Sequence, residues 1–147
     1  MPRADKHKHT TEKTPALLLA KQLKLHFARK LCQEGLFPKR SRWLLAVDLA
    51  HQLNDVVNTI REANETKVVT LDEWGDRHRL LTSAVAKLKT FDAALDDAVY
   101  VLDINPDQLS ETARLINELN AKLAAWIASD TKRYGSPPGL ITEGRDR

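Results

Sequence analysis

The sequence predicts an all-α fold, an antiparallel up-down four-helix bundle, from three observations. Apolar residues recur at helical spacing in four stretches, as at Leu19, Leu23, Phe27 and Leu31, which lie one turn apart and form a single stripe. The pairs Thr14-Pro15 and Asn105-Pro106 mark two helix starts, because a cap side chain satisfies free N–H groups and proline has none to lose in the first turn. Hydrophobic residues make up 42% of the 147 residues but aromatics only 5%, a balance that suits Leu, Ala and Val packed on helices better than a β-sandwich. A chain of this length holds one domain.

Helix one begins with Thr14 as N-cap and Pro15 at the first helical position, and it is expected to stop before Gly35, the residue type favoured at a left-handed C-cap. Besides its first stripe it carries a second, Leu18, Leu25 and Cys32, spaced by seven and set at an angle. A helix apolar over so much of its circumference must be covered on more than one side. Either it is central in the bundle or the second stripe is a subunit interface. Helix two is expected from about Ser41 to Asn64, with Ala46, Leu49, Leu53, Val56, Ile60 and Ala63 facing inward. The segment ETKVVTL lacks periodicity and reads as a loop. Helix three follows from about Asp72, with Leu81, Val85, Leu88, Leu95, Val99 and Leu102 inward. Helix four opens at Asn105-Pro106 and presents Leu109, Ala113, Ile116, Leu119, Leu123 and Ile127. Loops this short favour antiparallel neighbours. The bundle is thus expected over residues 14–134, between a disordered basic arm at 1–13 and a disordered tail at 135–147, both too poor in apolar surface to pack.

The net charge of +3 conceals an asymmetry: residues 1–42 hold 11 Lys/Arg against 3 Asp/Glu, and the rest 12 against 17. A basic field confined to the first third concentrates polyanions or an acidic protein partner. The single cysteine, Cys32, lies in the helical apolar pattern, so burial is expected and an internal disulfide is excluded. The run ALLLA at 16–20 ends at Lys21, too short for a signal peptide, and no stretch reaches the ~20 apolar residues of a membrane span. The expectation is a soluble cytoplasmic protein.

Chemistry-bearing patterns are sparse. Five glycines scattered at 35, 75, 135, 139 and 144 form no phosphate-cradling loop. Asp48, His51 and Asp55 can share a helix face, but a bundle di-metal site needs Glu-x-x-His motifs, and the sequence contains none. A solvated polar face is the reading preferred. His7 and His9 are assigned to the flexible arm, with no metal. Arg3 and His9 match the Arg-x4–6-His spacing of helical RNases, yet they fall in that same arm, where no general base is held in place. No enzyme and no cofactor are expected.

The basic residues remain as the candidate site. Arg29, Lys30, Lys39, Arg40 and Arg42 gather around the first interhelical corner, and Arg77 and Arg79 add charge in the first turns of helix three. The order of FPKRSRW (37–43), Arg-Glu-Ala-Asn (61–64), LKTFDAALDDAVYVLDI (88–104) and KLAAWI (122–127) resembles the accessory variability determinant family of diversity-generating retroelements. That resemblance spans about residues 17–128. It implies a non-catalytic homopentamer of four-helix bundles that binds nucleic acid and a reverse transcriptase, supporting mutagenic copying of template RNA into cDNA. It further implies that Phe37 and Trp43 anchor the corner while Lys39, Arg40 and Arg42 face phosphates or the polymerase. Where the family is basic along helix three, this chain has Asp92, Asp96 and Asp97, which moves the basic surface to helix one and its corner. Two other readings stay open: the four-helix bundles encoded in ribosomal-RNA intervening sequences, and a protein-binding adaptor with an acidic partner.

Overall fold

A computed structural model of the chain describes residues 14–33 and 35–138, with the backbone alone at Arg42. The predicted arm at 1–13 and residues 139–147 of the predicted tail lie outside the described residues. Among the described residues the protein is all-helical, with no strand.

Helix α1 runs Pro15–Leu31, capped by Thr14, whose Oγ1 accepts from the Leu17 N–H at 3.3 Å. It ends with Cys32 as a right-handed C-cap (φ −83°, ψ −8°), short of the Gly35 expected from the sequence. Arg29 and Lys30 fall in its last turn, where cations complement the negative end of the helix dipole. The Leu36 and Phe37 N–H groups both donate to the Gln33 carbonyl at 3.1 Å, turning the chain into the short helix α2, Lys39–Ser41. A five-residue π-helical turn, Arg42–Ala46, leads into α3, Val47–Glu65.

The ETKVVTL loop ends at Thr70, which opens α4, Leu71–Val101, with a reciprocal cap. The Thr70 N–H donates to Glu73 Oε1 at 2.9 Å and the Glu73 N–H to Thr70 Oγ1 at 3.3 Å, so two otherwise orphaned donors are satisfied. The Glu73 carboxyl, which accepts from the Thr70 N–H, the Val69 N–H and the Thr70 hydroxyl, is held below its usual range by these bonds. Asn105 caps the next element by accepting from the Asp107 N–H at 3.0 Å, but the turn it opens, Pro106–Leu109, is 3-10. Helix α5, Ser110–Tyr134, follows directly.

Every long helix contacts two others: α1 packs on α3 and α5, and α4 packs on α3 and α5. Three tethers join the start of one helix to the end of another. The Thr14 N–H donates to Asn64 Oδ1 at 3.1 Å, Arg77 Nε to Asp130 Oδ2 at 2.9 Å, and His26 Nε2 lies 2.9 Å from Thr112 Oγ1. In the core, Phe27 meets Phe37 and Phe91 edge-on, with centroids 6.2 and 5.2 Å away. Each such pair adds about 0.5–1.5 kcal/mol beyond simple burial.

The six inward residues expected on helix two are all buried, Ala46 in the π turn and the other five on α3. Leu109 in the 3-10 turn and Ile116, Leu119 and Leu123 on α5 are buried, but Ala113 is exposed and Leu115 takes the core position instead. The 3-10 turn before α5 changes the phase carried forward from Leu109. Two further expectations are corrected. Cys32 is exposed, as are Leu18 and Leu25 at 53% and 65%, so the second stripe of α1 is surface and not the seat of a central helix. Trp43 does not anchor the corner, being 83% exposed, whereas Phe37 is fully buried. In an α-helix the residues one turn before Ala46 are Arg42 and Trp43. In a π turn the aligned residue is five back, and Ser41 is indeed half-buried.

The chain also stays packed past the predicted tail boundary. Gly135, at φ 86°, closes α5, and its carbonyl accepts from the buried Trp74 Nε1 at 3.2 Å. Pro138 lies over Gly75 so closely that a Cβ there would sit 3.0 Å from Pro138 Cγ.

Candidate nucleic-acid interface

The corner between α1 and α3 is built on one aromatic contact. Phe27, two residues before Arg29, packs against Phe37, two residues before Lys39, so burial of the two rings draws both pairs of cations to the same end of the molecule. Arg29, Lys39 and Arg40 are exposed and Lys30 is half-buried. None of the four has a carboxylate partner among the described residues. Cations left unpaired at one corner sum their fields into a surface that attracts anions.

The neighbouring electrostatics carry that field's signature. His26, one turn before Lys30 and against Thr112, has its pKa lowered, first by burial and next by the Lys30 charge, with Arg114 and Arg29 adding and Glu111 opposing. Burial disfavours the charged imidazolium and nearby cations disfavour it further.

Arg77 and Arg79 are not brought to this corner. Arg77 is 13% exposed and bound to the buried Asp130. It also donates through Nη1 to the Thr66 carbonyl at 3.1 Å and lies 5.9 and 5.8 Å from the Trp126 and Tyr134 ring centroids. Its donors and its planar face are taken up by the fold. Arg79 pairs with Asp76 on its own helix. The corner is tied to α5 at Thr112 and Arg77 is tied to it at Asp130, eighteen residues further along. At 1.5 Å per residue these attachments are about 27 Å apart. Arg42 belongs to the corner by its backbone position.

Sequence reasoning missed the apolar part of the site. Beside Trp43, Leu44 is 79% exposed and Val47 42%, so an apolar ledge follows directly on Lys39 and Arg40. Its only sequence signal was the density of apolar residues in RWLLAV; the π turn that rotates them outward has no such signature. The acidic run of α4 has its own character: the Asp92 carboxyl is raised above its usual range, by burial first and the Asp96 charge second. Such a surface repels phosphates.

The polar face of α3 is occupied by its neighbours. Asp48 accepts from Gln52 Nε2 at 2.8 Å, and Asp55 pairs with Lys87 at 3.1 Å. Among the described residues no three His, Cys, Asp or Glu side chains gather as metal ligands, and no helix is long and apolar enough to cross a membrane. A notch of about 290 Å³ between α1 and α5, walled by Pro15, Ala16 and Trp126 with Lys122 on its lining, holds neither carboxylate nor imidazole. Comparison with protein-family models, with curated proteins and with solved structures returns no match.

Proposed function

We propose that this chain is a non-catalytic accessory protein of a diversity-generating retroelement, of the accessory variability determinant type, which binds nucleic acid through its basic corner and associates with the reverse transcriptase. The observation that carries this reading is the set of cations, Arg29, Lys30, Lys39 and Arg40, at one corner with no carboxylate partner among the described residues. Phosphate contacts need this arrangement: positive charge with free donors and no bound carboxylate to displace.

The three tethers between helix starts and ends support an antiparallel up-down four-helix bundle. The exposed stripe Leu18, Leu25 and Cys32 supports self-assembly, since exposed apolar residues aligned on one helix face mark an interaction surface. On this reading the stripe is the subunit interface of a cytoplasmic homopentamer, and several corners then face one nucleic acid.

The test is co-expression with the reverse transcriptase and near-repeat template flanking the coding sequence. Retention of protein, polymerase and template RNA in one complex, with cDNA output that depends on the chain, is the expected result. A coding sequence with no such gene beside it, or a polymerase that makes the same cDNA without the chain, would sink the proposal.

A further inference from the structure

We propose that Trp43 is a base-stacking residue and that the nucleic acid held at the corner is single-stranded. This rests on the nucleic-acid reading above and goes beyond it by naming the strand state and the residue that selects it. Trp43 stands 83% exposed on a π-helical turn, next to Leu44 at 79% and Val47 at 42%. Three neighbouring apolar side chains held in water are unfavourable unless something covers them. The π turn is what holds them there, because an α-helical register would carry position 43 toward the core.

The charges around this ledge identify the occupant. Lys39 and Arg40 lie one turn before Trp43, and Arg29 and Lys30 fall in the last turn of α1, at the end of the molecule where Phe27 meets Phe37. All four lack a carboxylate partner among the described residues. The occupant therefore presents anions at the edge and a flat apolar face at the centre. A single strand does both, with phosphates on the cations and an unstacked base on the indole, whereas a duplex keeps its base faces stacked on one another and leaves none for the indole. Stacking is sequence-tolerant because every base has a π-face, so the site selects strand state and not sequence.

The experiment measures binding of fluorescein-labelled oligo(U), oligo(dT) and a mixed-sequence duplex of equal length to the full chain and to Trp43→Ala and Trp43→Phe. Each variant is also checked for helicity and for mass in solution. The expected result is a loss of about 5- to 150-fold on the single strands for Trp43→Ala, the range associated with one stacked base. Duplex binding should stay within about twofold, Trp43→Phe should keep most of the affinity, and the salt dependence should not change. Equal losses on strand and duplex, or no loss, would overturn the stacking role while leaving the basic corner intact. A normally folded Trp43→Ala with a different mass would overturn it in favour of a second copy covering the ledge. A wild-type chain that binds none of the three probes would remove the nucleic-acid reading itself.

Discussion

Replacing Arg77 by Ala separates a structural cation from the candidate binding cations of the corner. The side chain is 13% exposed, and its partner Asp130 is 5% exposed. Removing the guanidinium takes away the 2.9 Å bond to Asp130, the 3.1 Å bond to the Thr66 carbonyl and the cover over the Trp126 and Tyr134 rings. It leaves a buried carboxylate with no partner, which costs about 3–5 kcal/mol, against about 0–1 kcal/mol for an exposed pair. With a urea dependence of roughly 2 kcal/mol/M, the unfolding midpoint should fall by about 1.5–2.5 M. The assay is urea unfolding followed by far-UV circular dichroism for wild type, Arg77→Ala, Asp130→Ala and the double variant. The double variant should be less destabilised than the sum of the singles, because neither charge is then stranded. Wherever Arg77→Ala is folded, its nucleic-acid affinity should match wild type. A loss below about 1 kcal/mol, or strict additivity, would refute the buried-pair account. A fully stable Arg77→Ala with weakened RNA binding would return Arg77 to the binding surface.

Two other outcomes follow from surface and titration chemistry. Leu18→Glu with Leu25→Glu should keep the helicity but lower the mass in solution, and the exposed Cys32 should then react with a thiol reagent faster than in the assembled wild type; unchanged mass and unchanged thiol reactivity would remove the interface assignment. His26 has a folded pKa below its ordinary 6.5, so the unfolded chain binds more protons in that window and stability should fall as pH drops through 6.5 and below; His26→Gln should flatten this slope, and a slope of opposite sign would show that the half-buried imidazole is stabilised by protonation.

The legible parts of the fold are those governed by short-range periodicity and cap chemistry. Thr14-Pro15 and Asn105-Pro106 mark real element starts because cap hydrogen bonds are local, and the stripe of α3 follows from a regular α period. What was hidden depends on departures from that period. The π turn rotates Trp43 outward, and the 3-10 turn after Asn105 shifts α5 so that Leu115 and not Ala113 meets the core. The candidate site divides the same way. Arg29, Lys30, Lys39 and Arg40 cluster through chain proximity, whereas the fate of Arg77 depends on Asp130, fifty-three residues away.

The central claim, that the cations at the α1–α3 corner bind phosphates, is tested most directly by the salt dependence of single-stranded RNA binding. Arg29, Lys30, Lys39 and Arg40 give four candidate contacts per protomer. At about 0.7 released counterions per contact, the plot of log affinity against log salt should have a slope near −2.8 for each protomer engaged. Lys39→Ala with Arg40→Ala should flatten it by roughly half, whatever the number of protomers, and weaken unrelated sequences alike. A normally folded double variant with the wild-type slope would contradict the claim.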